Sequence, residues 1–297
     1  MVDLCDISAS LYIPASHPRL LRSLFEVNPP LARSLILCTE DSLAVAELPA
    51  ALEVIRELLP QLTVRSSRSA IYLRPRNPAV LDDFLHMRGI EHVSGFVIPK
   101  ADAITLPAYC DQLLGRSFRI MPVLETSSIF DDAGRIALRE YLNASPLRRA
   151  ILALRIGGND LLRLLGLKRR PGISIYQTPL GTLIPQLVMC FRPHGYQLTG
   201  VVCDSLDDTE LLQQEARQDA LMGLIGKTAI HPQQIPIIER EFAISQADVS
   251  VAHEILKQST SAVCAFERMM LEKIVHEEWA RQTLQRASLQ MMHEDPR

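Results

Sequence analysis

Several signatures of common chemistry are missing from this chain of 297 residues. No GxGxxG follows the first apolar run, which disfavours a dinucleotide-binding sheet. There is no GxSxG elbow, so a serine triad of the α/β-hydrolase kind is set aside. HExxH is also absent: His276-Glu277-Glu278 lacks the second histidine that a zinc hydrolase needs. The six cysteines, Cys5, Cys38, Cys110, Cys190, Cys203 and Cys264, form no CxxC pair and have no histidine at zinc spacing. Cys38, Cys190 and Cys203 lie inside apolar runs, where a thiol behaves as a small hydrophobe. A reducing setting suits them. Strong charge is missing too. The net charge is −3, which gives no electrostatic case for nucleic acid. No apolar run approaches the length needed to cross a bilayer. The opening MVDLCDISASLYIP lacks the basic start and long apolar stretch of a signal peptide. The expectation is a soluble cytoplasmic protein whose partners include neither nucleic acid nor membrane.

What is present is alternation. Short apolar runs occur at Leu11–Pro14, Ser34–Cys38, Ala70–Leu73, Gly95–Pro99, Ile120–Leu124, Ile151–Ile156, Leu198–Cys203 and Leu224–Ile230. Each has the length of a buried strand. Amphipathic stretches separate them, among them Ser42–Leu58, Pro78–His86, Leu106–Leu114, Ile129–Leu142, Ile184–His194 and Thr209–Met222. Strand–helix alternation predicts a parallel sheet with helices outside it. Eight units in roughly 250 residues predict a closed TIM (β/α)₈ barrel. The expected barrel domain spans 8–243. The tail, 244–297, is expected to be a helical extension, with Ser245–Gln258 and Ser261–Met292 as helices and no strand between them. Ala262, Phe266, Met269, Met270, Ile274 and Trp279 recur there at helical spacing. They fit a helix on its own barrel or an arm covering a neighbouring subunit.

Barrel chemistry sits where strands end and lead into loops. Polar residues directly after each apolar run are therefore the candidates. Strand two offers Glu40 and Asp41; strand three, Arg74 and Arg76; strand four, Lys100; strand five, Glu125; strand six, Asn159 and Asp160; strand eight, Lys227 and His231. Strands five and six are neighbours, so Glu125 and Asp160 converge. Two carboxylates plus water are what Mg²⁺ takes from a protein. Arg74 suits a bidentate fork to a substrate carboxylate. Because successive strand residues alternate in direction, Arg74 faces the barrel interior if Tyr72 does. Arg76 lies beyond Pro75 and is freed from that alternation. Plainer readings stand beside these. Asp160 is also placed to cap a helix. Glu40 and Asp41 read equally as first-turn acids. Arg76 and Lys100 read equally as ion-pair residues, and His231 before Pro232 as a helix start.

The ordered set resembles the citrate lyase beta subunit branch of the HpcH/HpaI aldolase family. The family's strand ending in Pro-Ala or Pro-Gly resembles Leu11-Tyr12-Ile13-Pro14-Ala15. Its Asp-Leu-Glu-Asp resembles Cys38-Thr39-Glu40-Asp41, and its Val-Arg-x-Asn resembles Leu73-Arg74-Pro75-Arg76-Asn77. Ile98-Pro99-Lys100, Leu124-Glu125-Thr126 and Ile156-Gly157-Gly158-Asn159-Asp160-Leu161 follow in order. Gly226-Lys227-Thr228-Ala229-Ile230-His231-Pro232-Gln233-Gln234 ends the series. The resemblance implies a Mg²⁺-dependent carbon–carbon lyase, or synthase in reverse, that works through a metal-stabilised enolate. Its substrate class would be a small oxo acid or an acyl-CoA thioester. It makes Glu125 and Asp160 the metal ligands and Arg74 the substrate anchor. Glu40 and Asp41 join Arg74 in the catalytic group, near the metal through water. Arg76, Lys100, Gly158 and Asn159 complete the expected substrate contacts. The resemblance also implies a homotrimer or higher oligomer. Ser8 and Ala9 stand where the family often has Arg-Ser, which implies that a CoA thioester is not obligatory. RPRNP, RIGGNDLL, TPLG, FRPHG and GKTAIHP resemble a side branch of lyase-like barrels found in tellurium-resistance and stress gene clusters. Two rival readings are kept: a class II pyruvate-type aldolase, for which His17 is the nearest early histidine base, and a barrel that binds a metabolite without catalysis.

Overall fold

In the computed structural model, residues 7–17, 32–64, 69–257, 262–266 and 268–294 are described. The chain divides into two units, Met1–Glu241 and Phe242–Arg297.

The first unit is built on eight strands: β1 (Ala9–Pro14), β2 (Ser34–Cys38), β3 (Ala70–Arg74), β4 (Gly95–Ile98), β5 (Arg119–Leu124), β6 (Leu154–Ile156), β7 (Leu198–Thr199) and β8 (Lys227–Ala229). They pair in parallel in the order β7-β6-β5-β4-β3-β2-β1-β8. A parallel bridge between Gly200 and Lys227 brings β7 to β8 and closes the ring. The expected barrel is therefore present. Strands β6 and β7 are shorter than their apolar runs, since only part of each run lies in register with its neighbour.

Each strand is buried on both faces, as β2 and β4 show along their whole lengths. That double burial is what a helix-covered parallel sheet requires. Alternation divides the residues. Ile36, Tyr72, Val97, Met121 and Val123 fill the interior, with Tyr12 packed against them. Helices begin where the local chemistry predicts. Asn77 accepts the Val80 N–H at 3.0 Å and Pro78 takes the first position of helix Pro78–Leu85. Asp208 accepts the Leu211 N–H at 3.0 Å at the start of helix Thr209–Leu221.

A buried ion network holds that last helix against β8. Lys227 reaches Asp219 at 2.7 Å and Glu215 at 3.5 Å, all three fully buried. Arg169 pairs with Glu215, and the Tyr176 hydroxyl donates to Asp219. Lys227, a strand-eight candidate by position, is thus committed to the outer face of the barrel. His231, its companion, accepts the Gln233 N–H at 3.3 Å and starts a short 3₁₀ turn.

The second unit departs from expectation. Helices Gln246–Leu256 and Lys273–Glu294 are present, but a two-stranded antiparallel hairpin, β9 (Val263–Phe266) and β10 (Met269–Glu272), lies between them. The expected helix ends at Gln258 and Ser261 fall outside the described residues. Ala252, Ile255, Leu271 and Ala280 form the core of this unit. The six apolar residues at helical spacing therefore do not share one helix. Phe266, Met269 and Met270 belong to strands, where alternation sets their direction.

Candidate active site

A cavity of about 350 Å³ opens at the carboxy-terminal ends of the strands. Tyr12, Asp41, Arg74, Glu125, Arg155 and Asp160 are among the residues that line it. A larger recess of about 620 Å³ at the opposite end of the barrel holds Arg116, Arg119 and Arg149 but no acid.

Glu125 follows β5 directly and is 2 % exposed. Its Oε1 accepts two hydrogen bonds, from Arg74 Nη2 at 2.8 Å and from the Lys100 backbone N–H at 2.8 Å. Lys100 turns to a φ of 50° to present that N–H, a conformation uncommon for a residue with a side chain. The other carboxylate oxygen lies over Gly157, where a Cβ would stand 2.3 Å from it. A glycine is needed there. Gly158 has a separate reason to be glycine, since its Cβ would meet Val201 at 2.0 Å.

Burial pushes the Glu125 carboxyl up to about 7, against the pull of Arg74 and the Lys100 N–H, while Asp160 and Glu40 push it further. The upward push from Asp160 marks two carboxylates held close enough to repel. Asp160 sits in the first turn of helix Gly158–Leu164, whose cap is Gly157. It is therefore not the helix cap, the plainer reading of its position. Its Oδ1 accepts from Arg163 Nη2 at 2.9 Å.

Arg74 ends β3 on the same inner face as Tyr72. Its Nη2 lies 2.9 Å from Glu40 Oε2 as well as 2.8 Å from Glu125. Burial works against its charge, but Glu125, Tyr12, Cys38 and Glu40 outweigh it and raise its pKa. Its Nε is buried and, among the described residues, without a hydrogen-bond partner. Glu40 is 3 % exposed and also pairs with the Lys100 ammonium. Asp41 reaches the same ammonium at 2.9 Å. Burial opposes charge on Asp41, yet Lys100 holds its carboxyl below the ordinary value. Three acids and two cations thus form one continuous web: Glu125–Arg74–Glu40–Lys100, with Asp41 at its outer end.

Arg76, expected among the substrate contacts, is placed elsewhere. Its Nε donates to the Thr39 carbonyl at 3.1 Å, and its Nη2 donates to the Glu40 carbonyl at 2.9 Å and to that of Leu43. It braces the loop that carries Glu40 and Asp41, because beyond Pro75 strand pairing no longer sets its direction. Arg76→Ala is expected to cost roughly 1–3 kcal/mol of stability and leave ligand affinity within about threefold. Thermal denaturation and ligand titration check this; a variant of native stability that no longer binds ligand would reverse the assignment.

Lys100, also an expected substrate contact, is turned to Glu40 and Asp41 and is not part of the cavity wall. Gly158 and Asn159 do line the cavity, and Asn159 Nδ2 donates to Asp204 Oδ1 at 3.1 Å. His17 lies just past β1 but does not line the cavity. Sequence reading passed over Tyr12, Asp204, Thr228 and, above all, Arg155. The signal for Arg155 was a lone arginine inside the apolar run Ile151–Ile156.

Among the described residues no three His, Cys, Asp or Glu side chains gather as a metal cage. Glu125 and Asp160 nevertheless fit a hard cation that keeps most of its own water. Mg²⁺ asks for one or two carboxylates and leaves the rest of its octahedron to water and substrate oxygens. The mutual repulsion of these two acids is what such a cation relieves.

Known proteins share this architecture. One relative, a (3S)-malyl-CoA thioesterase from Cereibacter sphaeroides, is 28% identical over 206 residues, 67% of this chain and 70% of its own. A citrate lyase subunit beta-like protein from Mycobacterium tuberculosis is 26% identical over 275 residues, 89% of this chain and 90% of its own. Among solved structures, the CitE protein of Mycobacterium tuberculosis, in complex with magnesium, acetoacetate and coenzyme A, superposes with a TM-score of 0.69 at 22% identity. That superposition covers 96% of this chain and 99% of the other and shows a common fold. A family model for carbon–carbon bond lyases matches residues 2–290. With nearly the whole given sequence matched, the chain belongs to the C–C bond lyases of the TIM-barrel fold.

Proposed function

We propose that this lyase is Mg²⁺-dependent and cleaves, or in reverse forms, a carbon–carbon bond beside the carbonyl of a small oxo acid or acyl thioester. The observation that carries the reading is the pairing of Glu125 and Asp160 on one cavity, with Arg74 locked to Glu125. Relatives that act on malyl-CoA, and a fold neighbour holding magnesium with a 3-oxo acid, support it.

Glu125 and Asp160 are the residues that would hold the metal, which when bound polarises a carbonyl and stabilises the enolate left by cleavage. The remaining work belongs to the chain. Arg74 offers its unpartnered Nε–H to the substrate carboxylate while Glu40 and Glu125 fix its plane. Lys100 supplies the backbone N–H that orients Glu125 and, through its ammonium, holds Glu40 and Asp41 in place. Asp41 lines the mouth of the cavity and is kept ionised by Lys100. Tyr12, Val123 and Ile156 wall the cavity and limit water around the reacting carbons.

The test is a cleavage assay on oxo acids and on malyl-CoA and citramalyl-CoA, with and without Mg²⁺. Turnover that persists after chelation of divalent ions would contradict the reading.

We also propose a homo-oligomer, of trimer size or larger. Val263, Met269, Met270, Ile274 and Trp279 are exposed on the second unit, whereas Phe266 packs toward that unit's own core. Exposed apolar residues so close together mark an association surface. Light scattering at micromolar concentration is expected to return at least three times the chain mass of 33.2 kDa; a monomer or a dimer would contradict it. Among the described residues no helix is long and apolar enough to cross a membrane.

A further inference from the structure

Among the described residues, Arg155 is a buried cation without an acid. It occupies the middle of β6, points into the barrel and is 2 % exposed. Its Nη1 donates to Ser10 Oγ at 3.2 Å and approaches Met121 Sδ at 3.8 Å; its Nη2 donates to Thr228 Oγ1 at 2.7 Å. All three partners are neutral. Its Nε is buried with no hydrogen-bond partner among the described residues. The guanidinium lies over the Tyr12 ring, 5.3 Å from its centroid.

Arg135 and Lys227, the other buried cations of the barrel among the described residues, are treated differently, as are the half-buried Arg74 and Arg169. Arg74 has Glu40 and Glu125, Arg135 has Asp132, Arg169 has Glu215, and Lys227 has Asp219 and Glu215. No carboxylate pairs with Arg155 among the described residues. Arginine stays charged in proteins, and a buried charge is costly unless it is paired. Two hydroxyls and a ring face offset only part of that cost.

The place of this charge is informative. Arg155 is in the wall of the cavity that Arg74, Glu125 and Asp160 also line. It pairs in register with Val123, two residues before Glu125, so it sits one layer deeper in the barrel. Arg74 lies over the same Tyr12 ring, 5.9 Å from its centroid. One aromatic ring therefore joins two guanidinium groups at different depths, and each has an Nε–H without a partner.

We propose that Arg155 is a second carboxylate receptor at the inner end of the cavity, so that the acid this lyase handles carries two carboxylates. The outer one meets Arg74; the inner one supplies the counter-ion that Arg155 lacks. The fork geometry of a guanidinium suits a carboxylate, and a charge-assisted hydrogen bond out of water favours the dianion strongly. This inference rests on the cavity being the substrate site.

Oxaloacetate and pyruvate make the comparison, because they share a 2-oxo acid head and differ by one carboxylate. Calorimetric titration with each acid, in saturating Mg²⁺, is made on wild type, Arg155→Met and Arg74→Ala. Wild type is expected to bind oxaloacetate at least about tenfold more tightly than pyruvate. In Arg155→Met the preference collapses to within about twofold, with pyruvate affinity little changed. Arg74→Ala weakens both acids. Apolar replacement of a buried ion is usually tolerated. If Arg155→Met fails to fold, Arg155→Gln, which keeps a donor for Thr228, is judged by the same criteria. Equal wild-type affinities, or a preference that survives in the Arg155 variant, would overturn the Arg155 proposal while leaving the lyase reading intact. Wild type that binds neither acid would also overturn this proposal, and the cleavage assay on thioesters then decides separately whether the lyase reading stands.

Discussion

Arg74→Ala is expected to lower kcat/KM at least about tenfold, because it removes a charge-assisted hydrogen bond to substrate of roughly 1.5–3 kcal/mol. Stability falls as well. Arg74 is the partner of two nearly buried carboxylates, Glu40 and Glu125. Leaving a buried ion without its partner costs about 3–5 kcal/mol. The loss depends on pH. Glu125 already stands above its ordinary value of 4.5, at about 7, with Arg74 pulling it down. Without that cation its folded-state pKa rises further. A carboxyl with a raised folded pKa is tolerated while protonated and destabilises once ionised. The variant should therefore come closest to wild type below about pH 4.5 and fall increasingly behind as pH rises through 7 and beyond. Thermal denaturation across that range, beside kinetics, checks both halves. Arg74→Lys should also be damaging, since an ammonium cannot span Glu40, Glu125 and a substrate carboxylate with one planar fork. Near-normal turnover in Arg74→Ala would show that the substrate anchor lies elsewhere.

Glu125→Ala is expected to weaken Mg²⁺ binding at least about a hundredfold. Groups that merely orient a metal ligand cost 10–100-fold when removed, and a ligand itself should cost no less. Titration calorimetry on both proteins measures the difference. In wild type the same titration should depend on pH. A carboxylate must shed its proton before it binds a metal, and burial pushes the Glu125 carboxyl up to about 7. Affinity is thus expected to climb from pH 6 to pH 8 and then level. A flat profile would point to a site that Glu125 does not control. Equal Mg²⁺ binding by wild type and Glu125→Ala would remove this residue from the site altogether.

The path from Glu125 to Arg74 is legible in the sequence because strand ends are legible there. Eight apolar runs divided by amphipathic stretches specify a parallel barrel, and polar residues past each run then face one end of it. The inner face of Arg74 follows from Tyr72 by alternation alone. Arg76 could be set apart on the same ground, since Pro75 interrupts the ladder, although only the fold shows that it holds the Thr39, Glu40 and Leu43 carbonyls.

Other features depend on contacts between distant segments and leave little local trace. The hairpin Val263–Glu272 turns through Arg268 at a φ of 67° without the Asn-Gly or Gly-rich turn that marks a hairpin in sequence. Its short apolar runs mimic helical spacing, an ambiguity that periodicity cannot break. Lys100 reads as a surface cation; its role comes from a backbone twist that aims an N–H at a carboxylate 25 residues further on. Arg155 is the clearest case. A lone arginine in LRIGG has no local partner to announce it. Ser10, Thr228 and Tyr12 reach it from β1 and β8 only when the sheet closes. Alternation along one strand tells which residues share a face; which of those faces become the walls of one cavity is decided by closure of the barrel, because closure alone brings strands 145 residues apart within hydrogen-bonding distance.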